Sequence, residues 1–247
     1  MRFFSMTSET FESEPQRSTA DERWSGVENR RAAGGAGRVT KVVVLGHPAV
    51  GKTSVIRRFA KGEFLHKYRA TIGADFLSKT LTVDGLGGGP KTVVLQVWDT
   101  AGQEVYKALS SVFFRGADAC IMVCAADDRR SLMEGVPSWL GEFRAKQSAS
   151  AACVVLAVTK TDVEQWQFTK AEVEEVARNL GDVAAVLFVS SLTGDGVDDL
   201  FSFVASQIVR TIFDAPSDVA NPTLTVSVTV DPARENNKPR ECLCRSC

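Results

Sequence analysis

The chain has almost no net charge, no long apolar run and no metal-suited spacing among its strand cysteines, and each absence removes a class of function. Lysine and arginine number 29 against 30 aspartate and glutamate in 247 residues, a formal net charge of −1, so the electrostatic footprint of a nucleic-acid binder is missing and no nucleic-acid partner is expected. No apolar stretch approaches the roughly 20 residues that cross a bilayer as a helix. The opening Met1-Arg2-Phe3-Phe4-Ser5-Met6 is followed by Glu9, Glu12 and Glu14 where a signal peptide has its apolar core, so secretion is not expected. The six cysteines fall into two groups. Cys120, Cys124 and Cys153 lie in apolar, strand-like runs without a metal-binding spacing and read as small core hydrophobes. Cys242, Cys244 and Cys247 instead crowd the extreme C-terminus.

What is present is an ordinary globular composition, 44% hydrophobic and 24% charged, with enough length for one well-buried domain and tails. Residues 1–38 carry Ser, Glu, Arg, Ala and Gly and too little apolar content for a core, and read as a disordered arm. Residues 39–213 alternate apolar strands with helical patterns, the signature of an α/β fold with a mainly parallel sheet. Six strands are expected at 41–45, 76–83, 92–99, 119–125, 153–159 and 185–190. Helices are expected at 51–61, 131–146, 169–180 and 197–212. The glycine-rich Asp84 to Pro90 reads as a hairpin turn, which makes the second strand an antiparallel edge. Residues 214–247 are a proline-punctuated tail in which only Leu224 to Val230 alternates like a strand; it reads as an extended, loosely docked segment or as an aliphatic stripe for a partner.

Gly46-His47-Pro48-Ala49-Val50-Gly51-Lys52-Thr53 follows the apolar run Val42 to Leu45 and spells a phosphate-binding loop, with Ser54 next along the helix. Such a loop turns successive N–H groups around phosphate oxygens; Lys52 adds a charge at the β- and γ-phosphates, and the Thr53 hydroxyl can ligate Mg²⁺. Trp98-Asp99-Thr100-Ala101-Gly102-Gln103 ends a later strand, placing Asp99 at the carboxyl edge of the sheet. Asp99 can hold Mg²⁺, and the Gly102 N–H can reach a γ-phosphate. Thr159-Lys160-Thr161-Asp162 ends another strand. A carboxylate there can accept from the ring N–H and the exocyclic amine of guanine, a donor pair that adenine lacks, so Asp162 selects GTP over ATP. The three segments follow the first, third and fifth expected strands, where they can converge on one nucleotide.

With these motifs in this order, residues 39 to about 213 resemble the G domain of Ras-superfamily small GTPases, and most of all the Rab family. Tyr68 to Leu77 is similar to the first switch of the late-endosomal Rab branch. Leu95 to Asp99 and Phe113 to Asp118 resemble two further Rab segments. The resemblance implies a six-stranded P-loop G domain with helices on both faces that binds GTP and GDP with Mg²⁺ and hydrolyses GTP. It implies that Thr71 ligates Mg²⁺ and meets the γ-phosphate, that Gln103 orients the attacking water, and that Phe64 stacks on guanine. Ser190-Ser191-Leu192 stands where Rabs carry Ser-Ala-Lys, so the Ser191 N–H should meet the guanine carbonyl while Leu192 leaves out the lysine side chain. Phe76, Trp98 and Phe113 match the family's effector-contacting triad, or simply pack between the switches. His47 reads as a solvent-facing neighbour, not a catalytic base.

No arginine lies in the phosphate loop, so intrinsic turnover should be slow and raised by an activating protein. Pro48 departs from the small residue usual in the family. Its missing N–H and fixed φ raise the alternative of a GTP- or GDP-bound scaffold with impaired hydrolysis. Cys242-Leu243-Cys244-Arg245-Ser246-Cys247 resembles a double-cysteine prenylation tail, with the modified pair left open and an unmodified or metal-binding cluster as the alternative; two lipid chains anchor stably where one does not. The implied partners are an exchange factor, an activating protein, escort and dissociation-inhibitor proteins, effectors and the membrane. The implied location is the cytoplasmic face of endomembranes, endosomal or lysosomal, with a soluble cytosolic pool.

Overall fold

In β1 (Arg38–Gly46) the run Val42-Val43-Val44-Leu45 is fully buried, the condition of a central strand in a sheet covered by helices on both faces. The computed structural model describes residues 38–66, 71, 74–85, 89–100, 113–147, 152–213 and 227–228. After β1 come α1 (Lys52–Lys61), β2 (Ala74–Gly85), β3 (Gly89–Thr100), β4 (Ala119–Ala125), α2 (Val136–Lys146), β5 (Cys153–Thr159), α3 (Lys170–Leu180), β6 (Val183–Phe188), α4 (Val197–Phe213) and a two-residue β7 (Ser227–Val228). The sheet order is β2-β3-β1-β4-β5-β6-β7. All neighbours are parallel except β2 and β3, which pair antiparallel from Ala74 opposite Thr100 to Gly85 opposite Gly89. The six strands and the antiparallel edge are those expected, and β4 and β5 keep their bounds. The strand order reverses at β1, between β3 and β4, the place where open α/β sheets bind ligands at the carboxyl ends of their strands.

Strand alternation divides the core in two. Val42 and Val44 face a layer made by Val55, Ile56 and Phe59 of α1 and Leu200, Phe201, Val204 and Ile208 of α4, with the Phe59 and Phe201 rings stacked 3.7 Å apart. Val43 and Leu45 face Trp139, Leu140 and Phe143 of α2 and Val173 and Ala177 of α3. Cys120 and Cys124 are buried and Cys153 half-buried. Burial drives the Cys120 thiol well up, that of Cys124 to about 12 and that of Cys153 to about 11, so all three are inert fillers of the core.

Local departures from the sequence reading have local causes. The helix expected from Ser131 opens with a wide π-turn over Ser131–Gly135, closed by Val136 N donating to Ser131 O, before α2 proper. Pro137 in the first turn has no N–H to give, and its ring crowds the carbonyl four residues back. Thr169 is the cap of α3 and not its first residue: its hydroxyl accepts from Glu172 N while the Glu172 carboxylate accepts from Thr169 N. β6 starts two residues before the expected bound and also stops two residues early, where Ser190 N turns away to donate to Asp195 O at 2.9 Å. Of the alternating Leu224 to Val230, only Ser227–Val228 is described, and it extends the β6 edge in parallel register, Ala185 opposite Ser227. Residues 1–37 and the rest of the tail, with the expected bounds of the arm and tail, lie outside the described residues.

Candidate nucleotide site at the carboxyl edge of the sheet

Between β1 and α1 the chain must reverse in five residues, His47 to Gly51. Ala49 at φ 60° and Gly51 at φ 95° make that turn in the left-handed region, which a glycine enters without steric cost. Gly46 is required for a different reason. A Cβ there would stand 2.2 Å from the Val123 carbonyl oxygen of β4, so this glycine is what allows β1 and β4 to pack as they reach the site.

Lys52 is only 5% exposed, and its ammonium donates to the Gly46 and His47 carbonyls at 2.8 and 2.6 Å. Burial lowers its pKa to about 8, partly offset by the Asp99 carboxylate. Asp99 is buried at the end of β3, opposite Val44. The Thr53 hydroxyl donates to Asp99 Oδ2 at 2.7 Å, so its 2.9 Å partner Thr71 Oγ1 is the donor to Thr53. Two hydroxyls and a carboxylate therefore converge beside a buried ammonium. These are hard oxygen ligands of the kind Mg²⁺ takes, and Thr71, far along the chain, already lies over the phosphate loop.

His47 is half-buried, and its ring stands against the π-turn: a Cβ on Gly135 would approach it to 3.0 Å. The expectation of a solvent-facing side chain is corrected to one that packs the phosphate loop against the start of α2.

The segments expected to read the base are tied to the same loop. The Thr159 hydroxyl, 1% exposed, donates to the Val50 carbonyl and lies 3.0 Å from the Cys124 carbonyl. A Cβ on Gly51 would touch the same hydroxyl at 3.6 Å, so Thr159 braces the loop from beneath. Asp162 is exposed, and its Oδ1 accepts from Ser190 Oγ at 2.5 Å. Ser190 Oγ in turn accepts from Thr193 N at 3.1 Å. Ser191 is buried and Leu192 exposed. Lys160 holds φ 56°, and its ammonium is 3.0 Å from both carboxylate oxygens of Asp127. Phe64 is half-buried just past α1, edge-on to His66 at 5.1 Å.

Phe76, Trp98 and Phe113 form a continuous aromatic row, with neighbouring centroids 5.3 and 5.5 Å apart. Phe76 is 44% exposed, so the row reaches the surface. Gly102, Gln103, most of the first-switch segment and Cys242, Cys244 and Cys247 lie outside the described residues.

Two contributors had little signal in the sequence. Asp127 fixes Lys160 from a loop 33 residues earlier. Arg58 donates from α1 into the Ser191-Leu192 backbone; the cue for it was Leu192 itself, a loop that had lost its own cation.

A phosphate-loop motif opening a helix after β1, the hydrogen-bonded oxygens of Thr53, Thr71 and Asp99 at the end of β3, and a carboxylate on the β5–α3 loop are the arrangement of a G domain. The sequence profile of the Ras family matches residues 41–210, and the chain belongs to that family and is a GTPase. It is 37% identical over 177 residues to the Ypt/Rab-type GTPase YPT7 of Saccharomyces cerevisiae, covering 70% of this chain and 82% of that protein. The Ypt/Rab-type GTPase ypt7 of Schizosaccharomyces pombe is 41% identical over 136 residues, 54% of this chain and 63% of that protein. The Ras-related protein RABA2a of Arabidopsis thaliana is 31% identical over 210 residues, 82% of this chain and 92% of that protein.

Proposed function

We propose that this GTPase is a Rab-type switch in vesicle-mediated membrane traffic. The carrying observation is the meeting of Thr53, Thr71 and Asp99 next to buried Lys52. Thr53 and Thr71 would hold Mg²⁺, with Asp99 behind them, and the ion would neutralise charge on the β- and γ-phosphates. Residues Gly46 to Ser54 wrap the phosphates, while Asp162, Lys160, Ser190, Ser191 and Phe64 take the base. Thr71 and the Gly102 N–H meet the γ-phosphate, Gln103 orients the water, and loss of that phosphate releases both switches. Effectors read the Phe76, Trp98 and Phe113 row. Exchange and activating proteins drive the cycle in each direction.

Residues 39–213 are the switch domain, with 1–38 as an arm and 214–247 as the tail that carries lipid on two of Cys242, Cys244 and Cys247. Escort and dissociation-inhibitor proteins engage the aliphatic stretch before them. The likeness of the first switch to the late-endosomal Rab branch supports an endosomal or lysosomal membrane, with a cytosolic pool. No observation among the described residues favours the hydrolysis-impaired scaffold that Pro48 raised.

Competition of GDP and ADP for the purified chain, followed by multiple-turnover GTP hydrolysis, tests the reading. Guanine preference with turnover that rises on adding an activating protein supports it. Equal affinity for the two nucleotides removes it, and guanine binding without turnover gives the scaffold instead. Intact mass after expression in a prenylating cell tests the lipid, and an unmodified mass overturns that part alone.

A further inference from the structure

The segment Ser190 to Gly194 is one helical turn, closed by Gly194 N donating to Ser190 O at 2.8 Å. Such a turn carries N–H groups at its leading end and carbonyls at its trailing end. Ser190 Oγ, bonded to both Thr193 N and Asp162 Oδ1, places the leading end beside Asp162. The trailing end meets one side chain. Arg58 Nε donates to the Ser191 carbonyl at 2.7 Å and Nη2 to that of Leu192, while Nη1 donates to Gly62 O at 2.8 Å. Gly62 is the C-cap of α1 and leads directly into Phe64.

We propose that Arg58 positions the guanine-reading turn, setting the aim of the Ser191 N–H at the base carbonyl and so the rate of nucleotide release; this rests on the guanine-nucleotide function above. The three acceptors leave little freedom. A planar guanidinium that donates from three nitrogens to three backbone carbonyls fixes their separation, which an ammonium cannot do. The acceptors also span the base site, since one lies on the Phe64 side and two on the Ser191 side. α1 begins at Lys52 and Thr53, so the helix that meets the phosphates also holds the loop that reads the base. Leu192 gives the turn no charged side chain of its own. The Arg58 stem further packs beside Gly194, where a Cβ would lie 3.9 Å from Arg58 Cδ.

The test uses the full chain in Mg²⁺ with GDP and with 6-thio-GDP, in which sulfur replaces the guanine carbonyl oxygen. Arg58→Met keeps the stem and removes the fork; Arg58→Lys keeps the charge and stands in if the methionine variant does not fold. The methionine variant is expected to release GDP roughly tenfold faster, the effect of losing about 1.4 kcal/mol of aim on a charge-free hydrogen bond, and the lysine variant to fall between it and wild type. The ratio of 6-thio-GDP to GDP release rates, above one in wild type, should move toward one in both variants, because a mis-aimed N–H no longer distinguishes oxygen from sulfur. GDP release within twofold of wild type overturns the proposal. So does faster release with the sulfur ratio unchanged, which is the signature of a merely structural loss. Wild-type protein that binds GDP no better than ADP overturns the functional reading as well, whereas normal guanine preference with unmoved variants overturns the role of Arg58 alone.

Discussion

Replacing Thr159 by valine removes one hydroxyl and almost no volume, at a position where the hydroxyl joins two loops of the site. The Thr159 proton serves the Val50 carbonyl of the phosphate loop and lies near the Cys124 carbonyl at the end of β4, in a side chain 1% exposed. Water cannot replace it. The loss is therefore the net worth of one buried hydrogen bond, about 1 kcal/mol, plus part of the desolvation cost of an acceptor left behind, for a total of about 2 kcal/mol. For a folded region of this size that corresponds to a fall in Tm of about 4–8 °C. Melting must be followed at one fixed, saturating concentration of GDP and Mg²⁺, because bound ligand raises Tm by mass action. Release of GDP should also quicken, since Thr159, at the end of β5, braces the phosphate loop through the Val50 carbonyl. A fall of less than 1 °C with unchanged release would refute the brace. Thr159→Ser, which restores the hydroxyl without the methyl, should recover most of the release rate.

Gly196→Ala should cost at least about 2 kcal/mol, since its Cβ would lie 2.3 Å from the Phe188 carbonyl oxygen at φ 69°. Gly62→Ala, at φ 70° with nothing within 4 Å, should cost only about 1 kcal/mol; equal losses in denaturant titrations of the two variants would contradict the clash. Asp162→Asn should weaken GDP binding roughly a hundredfold by removing charged acceptors, and a change below threefold in competition assays would contradict guanine recognition at this carboxylate. Glu172 is held by Arg129 and by the Thr169 cap, which lower its pKa from 4.5 to about 2. A depressed carboxylate pKa contributes stability above the unfolded value, lost as pH falls through the folded one. The Tm difference between wild type and Glu172→Gln should thus be constant above pH 5 and shrink between pH 4.5 and 2; a difference independent of pH across that range would contradict the pair.

The sheet was legible because its central strands are buried on both faces. Val42 to Leu45, Ala119 to Ala125 and Cys153 to Val158 are unbroken apolar runs of strand length, and the strands of the latter two kept their expected bounds. The motif residues were legible because phosphate and base chemistry restrict residue type at fixed spacing. The partners that hold those residues were not. Arg58 meets Ser191 across 133 positions and Ser190 meets Asp162 across 28, and no local periodicity encodes a contact made only after the sheet has closed. The role of Gly46 divided in the same way. The motif gave it a place at the phosphates, whereas the close approach of Val123 depends on which strand lies beside β1. The π-turn before α2 had a local cause in Pro137, but a proline in a first turn is ordinarily tolerated, so its effect showed only in the hydrogen-bond pattern.

Trp98 lies between Phe76 and Phe113, with the Lys41 ammonium 5.1 Å from its ring. An indole so placed is an optical probe built into the chain. Its emission responds to the polarity of its surroundings, and those surroundings are two aromatic rings and a cation on separate elements. Trp139, buried in the core against which Trp98 packs, and Trp166, stacked on Phe188, emit alongside it, so replacing both by phenylalanine isolates the Trp98 signal. If effectors read this row in one nucleotide state only, Trp98 emission should change on nucleotide exchange in the unlabelled protein, and an unchanged emission would count against that role.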